Sequence, residues 1–291
     1  MTTVEPVVAD AEAVPPAVRR PALDPATPTR GRRPSKLFGI RTTIAPGWRI
    51  GFGLLGVATV FAVWFWGAGS GSAIIPTPLA SWNAFTKMVG DGSFQTDLWA
   101  SAQRVAIGYA ISMAIGVVLG VAIGTFATVE AFFEPQIGFL RYIPAPALLP
   151  LFLLLLGFDE TPKIWLIVVG TVFYNVLMTA DVARNVPREM LNASYTLGAS
   201  RWTVVRRVIL PHSLPGIIDV ARINLAAAWS MLVVAELLGA KAGLAYTINL
   251  SQRFRAVDVM FALLIVFGVI GILSDVALRR LRWLVSPWAR S

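Results

Sequence analysis

Long apolar runs separated by short polar stretches recur along the chain from about residue 50 to residue 278. A helix needs about 20 mostly apolar residues to cross roughly 30 Å of hydrocarbon. Six runs approach or exceed that length, at about 50–67, 98–126, 136–157, 163–181, 217–238 and 258–278. The first ends in Trp64 and Trp66, in the manner of an interfacial aromatic belt. After it, Pro76, Pro78 and the turn Gly90-Asp91-Gly92 bracket a short surface helix over about Leu79–Val89. In the second run Gly108, Ser112, Gly116, Gly120 and Gly124 recur every four residues, a stripe that lets another helix approach closely in lipid. Its partner is either a helix of the same chain or a second subunit. The third run holds Pro144, Pro146 and Pro150, so its freed carbonyls need other donors. Broken helices of this kind often line a substrate path, although a plain kink is the simpler reading.

Composition sharpens this picture. The 291 residues are 56% hydrophobic and 14% charged, against about a quarter charged in a soluble domain. The pattern is that of an all-α integral membrane protein. Cysteine is absent and His212 is the single histidine, which excludes disulfide frameworks, thiolate metal sites and HExxH zinc chemistry. No Walker-type phosphate loop occurs, so the chain has no such ATP site of its own. Residues 1–48, with eight prolines, four acids and no apolar period, read as a disordered cytoplasmic tail. Residues 49–285 form the transmembrane domain and 286–291 a cytoplasmic end.

The formal charge of +9 is a topology signal rather than a nucleic-acid footprint. Eight Lys and Arg lie in 1–49, five in 182–216 and four in 279–291, against five in the opposite loops. Positive charge gathers on the cytoplasmic side. Both termini and the 182–216 loop are therefore expected inside the cell, with no nucleic-acid partner.

That loop is the most informative stretch. Pro187 suits the first turn of a short helix to Leu197, Gly198 supplies a left-handed terminator, and Ser200 caps a second helix from Arg201. Trp202, Val205 and Ile209 share one face of the second helix, with Arg201, Arg206 and Arg207 on others; Pro211 and Pro215 close it off. An exposed Tyr195 and Trp202 call for a docking partner. The spacing of a small pair, a glycine, nine residues, an aliphatic, one residue and Leu-Pro is met by Ala193-Ser194, Gly198, Val208 and Leu210-Pro211. It resembles the EAA loop of permease subunits of bacterial ATP-binding-cassette importers. The usual leading glutamate is Asn192 here, with Glu189 one turn earlier.

Other stretches resemble the nitrate, sulfonate, taurine and bicarbonate branch of these permeases. They are Ile75-Pro76-x-Pro78, Ser101-x-x-Arg104-x-x-x-Gly108, Leu140-Arg141-x-Ile143-Pro144, Phe158-Asp159-Glu160-x-x-Lys163, and Trp229 followed by Ala235-Glu236. The resemblance implies a six-helix, MetI-like type I importer permease in the bacterial inner membrane, with both termini cytoplasmic. It implies no enzymatic activity, no catalytic or metal site and no cofactor on this chain, ATP and Mg residing on a partner. Two ATPase subunits would dock on the 187–211 loop through Asn192, Ala193, Ser194, Gly198, Ala199, Ser200, Arg201, Leu210 and Pro211. A second permease copy, an extracytoplasmic binding protein and membrane lipid complete the expected partners.

Ionisable groups inside spans cost about 2.5–3.5 kcal/mol at a helix centre on insertion scales, so they face protein or water. Arginine forks suit planar nitrate, bicarbonate or a sulfonate head. Arg141, beside the proline-broken stretch, leads the candidates for a path-lining charge, followed by Arg104. Pro144, Asn175, Arg222, Trp229 and Glu236 complete the candidate path. Structural readings stand beside these: Asp219 and Arg222 pair at i,i+3, Glu236 bonds a neighbouring helix, and Asn175 and Asn224 glue helices together. The expected cargo is a small oxyanion such as nitrate, bicarbonate, cyanate, taurine or another sulfonate. The alternatives are an unrelated small solute such as a vitamin precursor, or an intramembrane hydrolase, for which no span holds a histidine base.

Overall fold

The computed structural model describes residues 46–69 and 74–286, and every regular element among them is a helix. Of the tail assigned to 1–48, only the last three residues are described, and they already belong to a helix; 287–291 likewise lie outside the described residues. The chain divides into two units, Met1–Thr59 and Val60–Ser291. In the first, the described part is the opening half of α1 (Pro46–Gly69), whose Trp48 and Phe52 rings lie 5.9 Å apart.

Among its described residues, the second unit holds the rest of α1, a short 3-10 turn at Ala145–Leu148 and ten further α-helices. They are α2 (Pro78–Gly90), α3 (Ser93–Thr125), α4 (Ala127–Leu140), α5 (Leu149–Leu156) and α6 (Thr161–Arg184). There follow α7 (Arg188–Thr196), α8 (Arg201–Val204), α9 (Leu210–Leu237), α10 (Leu244–Arg253) and α11 (Val257–Val285). The short α2 forms where expected because the Thr77 hydroxyl caps it, accepting from the Ala80 N–H at 3.2 Å, and Pro78 occupies the first turn.

Among the described residues, five helices are long and apolar enough to cross a membrane: α1, α3, α6, the continuous run Arg201–Leu237, and α11. Taken together, α4 and the 145–156 segment pass the same length and hydropathy test, but they are bent by 81°, the geometry of a broken sixth span or a re-entrant loop. The third span thus starts at Ala127 rather than 136 and breaks over Arg141–Pro144. The cause is local: Pro144 has no N–H to continue the helix, and a residue ahead of proline is pushed out of helical geometry.

Proline acts differently at Pro211 and Pro215, which do not end the second loop helix. Residues Val205–Ile209 wind as one wide π turn between α8 and α9. That extra residue gives the Pro211 ring room where it would otherwise meet the carbonyl of the preceding turn. The helix therefore runs unbroken from the loop into the membrane.

The core forms where α3, α6 and α9 meet. The glycine stripe of α3 faces α6: a Cβ on Gly116 would lie 2.6 Å from the Cβ of Asn175, and one on Gly120 2.6 Å from the Val176 carbonyl oxygen. Ser112, fully buried between them, sits 2.7 Å from the Thr171 hydroxyl and accepts from Asn175 Nδ2 at 2.8 Å. The stripe's partner is thus a helix of the same chain. Val105, Tyr109, Ile167, Ala228 and Leu232 fill the three-helix junction with apolar volume.

Candidate translocation and coupling sites

At one end of the second unit, α7 and α8 form a sharp elbow. Gly198 has φ +78, and its geometry is a Schellman closure: Ala199 N–H donates to the Ser194 carbonyl at 3.0 Å and Gly198 N–H to the Tyr195 carbonyl at 2.9 Å. Ser200 then caps α8, its hydroxyl accepting from the Thr203 N–H at 3.3 Å. Together with the bond from the Val204 N–H to the Ser200 carbonyl at 3.0 Å, these contacts close the turn between α7 and α8. Asn192, Ala193, Gly198, Ser200, Arg201 and Pro211 are exposed, whereas Ser194, Ala199 and Leu210 are half-buried.

The face expected to hold Trp202, Val205 and Ile209 together is split. Val204 joins Val205 and Ile209 against Val121 and Ala183, while Trp202 points away and is 64% exposed. Tyr195 and Leu197 are exposed beside it. Behind the elbow lies a cleft of about 400 Å³ lined by Thr125, Arg184, Arg188, Tyr195, Val204 and Ile209. Arg184 ties the elbow's approach to α4 through Glu130 at 2.7 Å and Glu134 at 3.0 Å. His212, on the first turn of α9, is exposed.

At the opposite end, Arg104 and Glu236 meet. Arg104 Nη1 donates to Glu236 Oε1 at 2.7 Å and to the Ala242 carbonyl at 2.7 Å. Glu236, with no exposure, also accepts from the Ser101 hydroxyl at 2.7 Å and the Ala245 N–H at 2.9 Å. The other edge of the guanidinium engages Glu160 through Nε and, at 3.0 Å, through Nη2, and Lys163 Nζ donates to Glu160 Oε1 at 2.9 Å. These bonds from Arg104, and then those from Lys163, hold the Glu160 carboxyl down to about 2. Asp97 accepts from the Gly243 N–H at 2.9 Å and the Thr247 hydroxyl at 2.6 Å, fixing the start of α10. Gly243, at φ +141, has no room for a side chain against the Glu236 carboxylate.

In this structure the hydrogen-bonding groups of Arg104 and Glu236 are engaged within the protein. Asn175 and Asn224 behave as helix glue, Asn224 Nδ2 donating to Asn175 Oδ1 at 2.7 Å. Arg222 lies 3.2 Å from Asp275 and 3.9 Å from Asp219, so its closer partner is on α11 rather than at i,i+3. Asp219 pairs instead with Arg282 at 2.9 Å. Arg222 and Trp229 share a cavity of about 260 Å³ between α9 and α11 with Ser274 and Asp275. Arg141 and Pro144 stand at the break of the third span, both exposed. The Arg141 guanidinium lies over the Tyr142 ring at 5.0 Å and donates to its hydroxyl at 3.1 Å.

Asp97, Glu160 and Lys163 are clamp members that reading for charges within spans passes over. Glu160 and Lys163 were visible as an i,i+3 pair of opposite sign, but the buried position of Lys163 was not.

Comparison with known proteins places this geometry. Residues 112–285 match the family described as the binding-protein-dependent transport system inner membrane component. A Brucella melitensis protein named as an ABC transporter permease is 30% identical over 239 residues, covering 82% of this chain and 97% of its own. A Bacillus subtilis protein named for aliphatic sulfonates transport is 34% identical over 242 residues, 82% of this chain and 88% of its own. An Escherichia coli protein named as a taurine transport system permease is 34% identical over 199 residues, 68% and 72% respectively. The solved MetNI methionine ABC transporter shares the fold at TM-score 0.58 and 22% identity, covering 64% of this chain and 93% of that one. The chain belongs to the family of binding-protein-dependent transport system inner membrane components, as a multi-pass ABC importer permease that transports rather than catalyses.

Proposed function

We propose that this permease works as a homodimer that imports a small oxyanion of the sulfonate and taurine class, with both termini and the elbow in the cytoplasm. Two ATPase subunits dock on the 187–211 elbows, and a binding protein delivers cargo to the opposite face, where residues 74–92 and 238–256 lie. The observation that carries the coupling role is the elbow itself, closed by a Schellman turn and a serine cap yet presenting Tyr195, Leu197 and Trp202 to solvent. Residues 201–237 form one helix of 37 residues, about 55 Å long at 1.5 Å per residue. It joins the elbow directly to the Glu236 clamp. Closure of an ATP-loaded ATPase dimer would push the elbow, and the rigid α9 would carry that push to the far end.

The oxyanion reading is supported by relatives named for sulfonate and taurine transport and by Arg141, a cation at a helix break whose described contacts are with Tyr142 alone. Such a group in a membrane protein faces water or a partner subunit. The test is ATP-driven uptake of taurine and ethanesulfonate by the reconstituted complex. Uptake is expected for at least one, and Arg141→Ala should lower it about tenfold or more with assembly intact. Uptake of an uncharged solute with neither sulfonate would reject the oxyanion class.

A further inference from the structure

Two buried cations share one exposed carboxylate at the end opposite the elbow. The Arg104 and Lys163 side chains are 5% and 2% exposed, whereas that of Glu160 is 55% exposed. The two acids around Arg104 are held differently. Glu236 is locked by a hydroxyl and a backbone N–H besides Arg104. Glu160 receives its described hydrogen bonds only from Arg104 and Lys163. It precedes α6 in a short loop that starts at Gly157, φ +84, so its side chain can rotate outward while the helix stays in place. Asp97, the remaining acid nearby, bonds to a backbone N–H and a hydroxyl and to neither cation.

We propose that Glu160 is a tethered stand-in for the transported oxyanion: its carboxylate fills an oxyanion site built by Arg104 and Lys163, and an entering sulfonate displaces it. This rests on the oxyanion reading of the function. The donor count favours a sulfonate head. Arg104 Nε, Arg104 Nη2 and Lys163 Nζ are three donors served by two carboxylate oxygens, Oε1 taking two of them. Three sulfonate oxygens would give each donor its own acceptor, with the guanidinium edge bidentate and the ammonium as a point charge. The exchange leaves the charge of the site unchanged. It also requires no new desolvation of the two cations, which are already buried. A buried cation stripped of its partner is strongly unfavourable, so the site is filled at all times, by Glu160 or by cargo.

The experiment uses the full-length chain in lipid nanodiscs, with thermal unfolding followed against ethanesulfonate at ionic strength held constant with sodium chloride. A site that its own carboxylate leaves free about a tenth of the time or less binds a competing ligand about tenfold or more weakly. Glu160→Ala should therefore bind ethanesulfonate at least about tenfold more tightly, and adding Lys163→Met should abolish the response. Should Glu160→Ala fail to fold, Glu160→Gln keeps an acceptor oxygen and goes through the same titration with the same expectation. An equal response in wild type and variant, or one that survives Lys163→Met, overturns the proposal. Ethanesulfonate binding by the variant with no oxyanion uptake by the intact transporter would uphold the site and reject the cargo class. Oxyanion uptake with no such binding would reject the site alone.

Discussion

Gly116→Ala adds one methyl group at the tightest part of the α3–α6 contact. The new Cβ would lie 2.6 Å from the Asn175 Cβ and 3.2 Å from the Asn175 carbonyl carbon. Carbon–carbon contacts settle at about 3.5–4.0 Å, so the two helices must part by roughly 1 Å at this level. A gap of that size forfeits about a quarter to a half of the dispersion well for facing atoms. It also stretches the 2.8 Å bond from Asn175 to Ser112. Over-packing costs about 1–3 kcal/mol and a weakened buried hydrogen bond about 1 kcal/mol more. The better helix propensity of alanine returns up to about 1 kcal/mol, leaving a net loss of about 2 kcal/mol. Gly138 in α4 is the internal control, because nothing lies within 4 Å of a Cβ built there. Alanine at that position should be neutral or stabilising by about 0.5–1 kcal/mol. Reversible unfolding in mixed micelles titrated with dodecyl sulfate reads both. Equal midpoints for the two variants would refute the close-approach account of the stripe.

Three further outcomes follow from the same geometry. Gly198→Val should lose ATPase binding while the membrane helices fold normally, because a β-branched residue resists φ +78; pull-down of the partner together with circular dichroism checks both halves. Glu236→Gln should destabilise by about 3 kcal/mol in the same dodecyl sulfate titration, since it removes one charge from a fully buried pair, whereas Arg222→Gln, in a partly exposed pair, should cost under about 1 kcal/mol. The Glu160 carboxyl sits at about 2 in the folded protein against an ordinary value of 4.5. Its contribution is therefore full above pH 4.5 and is lost as pH falls through about 2, so the gap in melting temperature between wild type and Glu160→Gln should close over that window.

Much of this was legible from periodicity. Apolar length and the four-residue glycine spacing announced the crossings and the close packing of α3, because lipid-exposed and helix-facing positions obey simple periods. Gly198 and Ser200 announced the elbow through local capping chemistry. The clamp was not legible, because Ser101 and Glu236 lie 135 residues apart and only tertiary packing brings them together. Pro211 was read as a terminator because local rules describe a regular α-helix, whereas a single π turn accommodates the ring. Spacing grouped Trp202 with Val205 and Ile209, but the neighbouring end of α3 decides burial: it takes Val204, Val205 and Ile209 and leaves Trp202 exposed. The prolines of the third span foretold a break but not its 81° angle, which depends on how the flanking segments pack against α6 and α9.

The most direct test of the central claim is purification of the wild-type permease in mild detergent from cells that carry its whole transport system, with quantitative mass spectrometry of what remains bound. An ATP-binding-cassette ATPase at about one copy per permease, crosslinked to residues of the 187–211 elbow, is the predicted result. An intact permease dimer with no ATPase at the elbow would contradict the account.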